Sequence, residues 1–200
     1  MKLFRQTEKS WQAAFLATIA LLMQGCAGQM LKQADASSVV ADNEIIVVGS
    51  IDLTPGLGKD EQDLALPGTL DLFGYGDMHR DRALLQLNNK PEASDYSRFI
   101  INPVLGELFF FKMPAHLNHI VDGNIIVELG VSEILLPTGL KIDAGPGEKA
   151  VYVGNLTYIR DDFNSIVDVK LTDDYDKARK EFRKRFGDKY TLTKALMKPL

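Results

Sequence analysis

Several groups of residues in this 200-residue chain have types and spacings that could do chemistry. Cys26 is the only cysteine, and a thiol, once deprotonated, is a strong nucleophile that can accept a lipid or acyl group at sulfur. His116 and His119, with Asp122 nearby, have the spacing at which two imidazoles meet on a helical turn, and zinc would need a further ligand from elsewhere. His79 sits in Asp77-Met78-His79-Arg80-Asp81-Arg82, where five ionisable groups in six positions could exchange protons. Gly56-Leu57-Gly58-Lys59 and Gly145-Pro146-Gly147-Glu148-Lys149 invite a phosphate-binding reading. Lys177, Lys180, Arg183 and Lys184, with Arg179 and Arg185 beside them, gather positive charge that could meet an anionic surface.

Most of these patterns have plainer explanations. The segment after Pro114 reads as a loop, so His116 and His119 lack the helix that would bring them together. Neighbours in sequence cannot all point at one substrate, and no Gly-x-Ser-x-Gly elbow accompanies the Asp77 to Arg82 cluster. Neither glycine cluster has the Walker spacing or a Ser or Thr after its lysine, so both read as turns. Catalytic residues, a resident metal and a cofactor are therefore not expected. The alternative, an exported enzyme or metal-binding protein, would use His79, His116 and His119.

Cys26 has a more specific setting. Lys2, Arg5 and Lys9 precede an apolar run from Ala13 to Met23, and Gly25 stands immediately before the cysteine. Positive charge, a short apolar run and a small residue before a cleavage point make a signal peptide. The run is shorter than the roughly 20 residues a spanning helix needs. Leu22-Met23-Gln24-Gly25-Cys26 resembles the lipobox of bacterial lipoproteins, with Met23 and Gln24 departing from the usual residues. The resemblance implies removal of residues 1–25, lipidation of Cys26 and attachment to a membrane of the cell envelope. Ala27 in the following position implies the outer membrane, facing the periplasm, over the inner one. Two or three acyl chains would hold such a protein firmly, where one binds only marginally.

The mature chain would carry 20 basic against 26 acidic residues. A general nucleic-acid binder has the opposite balance, so nucleic acid is not an expected partner. The expected partners are the membrane that takes the lipid anchor, and an envelope protein or anionic headgroups at the basic cluster.

The elements that must position these residues are mostly β. Residues 26–43 are polar and aperiodic and read as a lipidated flexible tether, which as coil would span roughly 20 to 25 Å. Residues 44–200 then form one domain. Glu44 to Leu53 is dense in β-branched residues and reads as a strand buried on both faces. Short segments follow at Thr69 to Gly74, Ala83 to Leu87, Arg98 to Ile101, Leu108 to Met113, Asn124 to Leu129 after the turn signal Asp122-Gly123, and Glu133 to Leu136, each bounded by Gly, Pro, Asn or Asp. Leu140 to Ala144 and Lys149 to Ile159 read as a hairpin around Gly145-Pro146-Gly147, the second strand central, with a bulge where its phase switches near Gly154-Asn155. Strands at this spacing predict a single antiparallel β-sandwich. The run from Pro137 to Ile159, with Ala150-Val151-Tyr152-Val153-Gly154-Asn155-Leu156 after a glycine-rich turn, resembles a strand in small lipoproteins with a prealbumin-like β-sandwich. That resemblance implies a fold and no catalytic residue.

One amphipathic helix is expected near the C-terminus. Thr172 or Asp173 would cap it, Lys184 and Arg185 complement the dipole before Gly187, and Tyr175, Ala178, Phe182 and Phe186 share a face that should pack on the sheet. The chain is thus expected to be a membrane-anchored envelope lipoprotein with a binding or structural role.

Overall fold

A strand sends successive side chains to opposite faces, so Ile45-Ile46-Val47-Val48 needs apolar cover on both sides of its sheet. The computed structural model describes residues 29–64, 81–92, 99–128 and 132–200, and in it this run has that cover. Ile45 and Val47 belong to one buried cluster, Ile46 and Val48 to another.

The described strands are β1 (Gln29–Met30), β2 (Glu44–Thr54), β3 (Ala83–Asn88), β4 (Phe99–Ile101), β5 (Leu108–Pro114), β6 (His119–Glu128), β7 (Ser132–Leu135), β8 (Leu140–Lys141), β9 (Ala150–Arg160), β10 (Ile166–Thr172), β11 (Leu192–Lys194) and β12 (Lys198–Pro199), with helices α1 (Lys59–Leu64) and α2 (Tyr175–Phe186). The chain is mostly β, in two mixed sheets. One runs β1-β4-β3-β6-β8-β12 with β7 beside β6, the other β10-β9-β2-β5 with β11 beside β9. The larger cluster draws on both sheets, joining Leu85, Ile101 and Ile125 to Val47, Phe111 and Val153. The smaller joins Ile46, Val48, Phe110 and Tyr152 to Ala178, Phe182 and Phe186 of α2.

Four expectations are corrected. Pairing is not purely antiparallel: β2 and β11 both run parallel to β9, and β1 runs parallel to β4. Parallel neighbours need a long crossover, and the chain between β2 and β9 supplies one by building the other sheet on the way. The hairpin of residues 140–159 does not form. β8 pairs with β6 and β12, whereas β9 lies in the other sheet, so the glycine-proline loop carries the chain between sheets. Asp122-Gly123 is not a turn but the middle of β6. A Cβ at 123 would lie 2.8 Å from Leu85 Cδ2, so a larger residue there would make the Leu85 side chain shift.

The fourth correction concerns the tether. Residues 29–43 lie against the body: β1 extends the larger sheet beside β4, Ala34 N–H donates to Phe110 O, and Leu31, Ala34 and Val40 are buried. Scattered apolar residues that looked aperiodic each find a separate site, and burial offsets the entropy that a free coil would keep.

Two other expectations are met. β9 is flanked by β2 on one side and by β10 and β11 on the other. Its register against β2 slips where Val48 faces Tyr152 but Gly49 faces Gly154, and Gly154 has φ of 98°. The expected strand at Thr69 to Gly74 lies outside the described residues.

α2 is held through Ala178, Phe182 and Phe186, with Phe182 and Phe186 ring centroids 4.7 Å apart and Phe110 6.0 Å from Phe186. Phe182→Ala should therefore lower unfolding stability by about 3 to 5 kcal/mol. Urea denaturation of the variant checks this, and a loss below about 1 kcal/mol would show that the helix is not docked as described.

Candidate functional site

The basic cluster owes its orientation to the burial of the opposite helix face. At 100° per residue, Lys177, Lys180 and Lys184 at i, i+3 and i+7 fall on the side away from Ala178, Phe182 and Phe186, and all three are exposed. Arg183 lies on one flank and pairs with Asp188 at 2.9 Å; Lys184 is 3.7 Å from Glu181. Both pairs are open to solvent and add little stability, while Asp188 and Glu181 offset part of the local positive charge. Arg185 is directed elsewhere, its guanidinium 4.5 Å from the Phe110 ring centroid.

The start of the helix is fixed by a polar triangle. Tyr152 Oη accepts from Asp174 N–H at 2.8 Å and donates to Asn155 Oδ1 at 3.2 Å, while Asn155 Nδ2 donates to Asp174 Oδ2 at 2.9 Å. Burial pushes the Tyr152 phenol above its usual range, so it serves as a neutral hydroxyl. Asp174, rather than Thr172 or Asp173, is the N-cap, and Asp173 Oδ1 instead accepts from Tyr175 N–H at 3.1 Å. Beside this end a groove of about 290 Å³ is lined by Glu107, Phe110, Asn155, Asp174, Lys177 and Glu181, among others. Its acidic lining gives the base of Lys177 a different environment from the cationic crest.

The other candidates are scattered. His116 is exposed in the turn after β5, while His119 is buried at the start of β6 with Nδ1 lacking a hydrogen-bond partner. Asp122 is exposed and its Oδ1 accepts from Gly123 N–H. Among the described residues, no three His, Cys, Asp or Glu side chains come close enough to share a metal ion. His79 and the Asp77 to Arg80 part of its cluster lie outside the described residues, as does Cys26. Asp81 accepts from Gln62 Nε2 of α1 at 2.8 Å, and Arg82 donates to Asn102 O at 3.0 Å, so these two members of the cluster tie chain segments together.

The most developed polar centre lies elsewhere, at Arg160, which is buried at the end of β9. Its Nε donates to Pro55 O at 3.0 Å and its Nη2 to Gly56 O at 2.9 Å. Glu61 takes a fork of two bonds, 2.6 Å from Nη1 and 2.7 Å from Nη2, and Asn164 Oδ1 accepts the last proton. All five guanidinium donors are thereby used within the chain, leaving none for a ligand. The arrangement fastens α1 and the Pro55 loop to the end of the central strand. Sequence reading did not single out Arg160, because Pro55, Gly56 and Glu61 are about 100 positions away; an arginine ending a mostly apolar strand was the one available sign. The Gly56 cluster is absorbed here, with Gly58 N–H also donating to Glu61 Oε2 at 2.7 Å.

Hydrogen bonds from Arg160 hold the Glu61 carboxyl down to about 2, against an ordinary value of 4.5, with partial burial opposing the shift. A carboxylate whose folded pKa is depressed stabilises the fold above its unfolded pKa, and that stability is lost as pH falls through the folded value. Stability should therefore decline between about pH 4.5 and 2. Glu61→Gln should flatten that decline, and Arg160→Met, which leaves Glu61 unpaired, should cost about 3 kcal/mol at neutral pH. Urea melts of the three proteins across this pH range check both outcomes.

No family model matches this chain, and neither a curated protein nor a solved structure is found to be similar to it. No helix among the described residues is long and apolar enough to cross a membrane.

Proposed function

We propose that this protein is an envelope lipoprotein, anchored by acyl chains on Cys26, whose β-sandwich body and packed amphipathic helix serve a binding or structural role without catalysis. In this reading the two sheets are the faces of the sandwich, and the helix lies on the outside of one of them. The outer membrane, on its periplasmic side, is the proposed location. The observation that carries the binding role is the outward row of Lys177, Lys180 and Lys184 with Arg183 on its flank, four cations on a body whose overall balance is acidic. Its proposed ligand is the anionic headgroup layer of the membrane that holds the anchor. Each cation near such a surface contributes about 1 kcal/mol.

The docking of residues 29–43 supports this. Only Ala27 and Gly28 separate Cys26 from β1, so the body would stand within about 11 Å of its anchor by chain length. The segment leading from that anchor also reaches the far end of the helix region, where Ser38 O accepts from Lys189 Nζ at 2.7 Å. Lipid attachment and cationic contact would then act on one surface, the second event made easier by the first. With His116 exposed and His119 buried, the metal-binding alternative has no comparable support among the described residues.

Cys26→Ser should move the protein from the membrane pellet to the soluble fraction, and the parent's N-terminal peptide should carry acyl mass. Equal fractionation of the two, with no added mass, would end the anchoring proposal. Separately, reversing Lys180, Arg183 and Lys184 to glutamate should weaken binding to anionic vesicles at low salt by at least about tenfold, with little change on neutral vesicles. Vesicle co-sedimentation reads this, and unchanged binding would remove the headgroup role while leaving the anchor standing.

A further inference from the structure

Strand β10 is the outermost strand of its sheet, paired with β9 on one side, and among the described residues no strand pairs with its other side. Val167, Val169 and Leu171 are 62%, 37% and 38% exposed. The register sets Val169 opposite Tyr158 and Leu171 opposite Leu156, both members of the cluster between the sheets. The apolar lining of the core thus continues, partly exposed, to the edge. On that strand Val169 N–H donates to Asp168 Oδ1 at 2.9 Å, a side-chain oxygen standing in for the carbonyl of a further strand.

We infer that β10 pairs antiparallel with β10 of a second copy of this chain, about a two-fold axis through Val169. An axis normal to the sheet keeps each side chain on its own face, so facing residues must be an even number of positions apart or identical. With Val169 on the axis, each Asp168 stands opposite the Lys170 of the other copy. The two Val169 side chains meet, and Leu171 lies toward the start of the other copy's β10, where the register against β9 is irregular between Ile166 and Asp168. A step in either direction places Asp168 opposite Asp168 or Lys170 opposite Lys170, and like charges directly opposed are destabilising.

Charged residues on an edge strand commonly serve to keep other strands away. Here the two charges have opposite sign and flank one residue symmetrically, so they oppose the neighbouring registers and favour this one. A second copy is the occupant for that reason: the strand is complementary to itself. Pairing would give Val169 N–H a backbone acceptor, free Asp168 for Lys170, and join the two inter-sheet cores across the axis. Neither Cys26 nor the cationic helix face enters the argument.

The test uses the full chain, purified in detergent and studied by analytical ultracentrifugation over a range of concentrations. The parent should dimerise. Asp168→Lys and Lys170→Asp should each weaken the dimer about tenfold or more, because two attractive pairs become repulsive. An equimolar mixture of the two variants should associate again, since one strand then carries two lysines and the other two aspartates. Thermal melts matching the parent's would show that the variants fold. In a Cys26→Ser background, Val169→Cys should give a disulfide-linked dimer on mild oxidation that Cys26→Ser alone does not give. A monomeric parent, a dimer weakened by neither reversal, or folded variants that fail to recombine would overturn the inference.

Discussion

Parallel pairing of β2 with β9 is the contact on which the rest of the molecule depends. Both strands are buried over most of their length, and their side chains supply the interior of both apolar clusters. At the point where their register slips, the backbones approach so closely that a Cβ at Gly49 would lie 2.6 Å from Gly154 O. Glycine is the residue that allows this, and Gly154 also adopts a positive φ that other residues rarely tolerate. Beyond the slip the inward phase of β9 changes: Val153 and Leu156 face the same cluster although they are three apart, whereas Val47 and Ile51 of β2, four apart, keep an unbroken period of two.

The outer elements follow from that pair. Sheet faces on both sides must be covered, one by the larger sheet and the other by α2 with residues 34–40. Because β2 and β9 are parallel, the intervening chain has to return to its starting end, and it forms the covering sheet in doing so. The far end of β9 finishes in a buried arginine. Its charge is tolerable only because Glu61 and three further acceptors surround it.

The same packing decides what faces solvent. A helix fixed by three buried side chains and by the Tyr152, Asn155 and Asp174 triangle cannot roll, so its row of lysines keeps a constant direction. That constancy makes a surface of what would otherwise be scattered charge. At the opposite limit lies β10, where the core reaches the rim of its sheet with no further strand beside it among the described residues.

Much was legible locally. The β-branched run of β2 announced a strand covered on both faces, because period-two geometry leaves no other solution for consecutive apolar residues. The phase switch at Gly154 gave the bulge, and the spacing of Ala178, Phe182 and Phe186 gave the buried helix face and, by difference, the candidate cationic face. Each of these is set by residues within one or two turns or pleats of each other. What only the tertiary structure decided was pairing between distant segments: parallel β2 and β9, the separation of β8 from β9, the docking of residues 29–43 and the partners of Arg160. Local patterning specifies which faces need cover but not which distant segment supplies it, since that choice is made by complementary packing among surfaces that the linear order keeps apart.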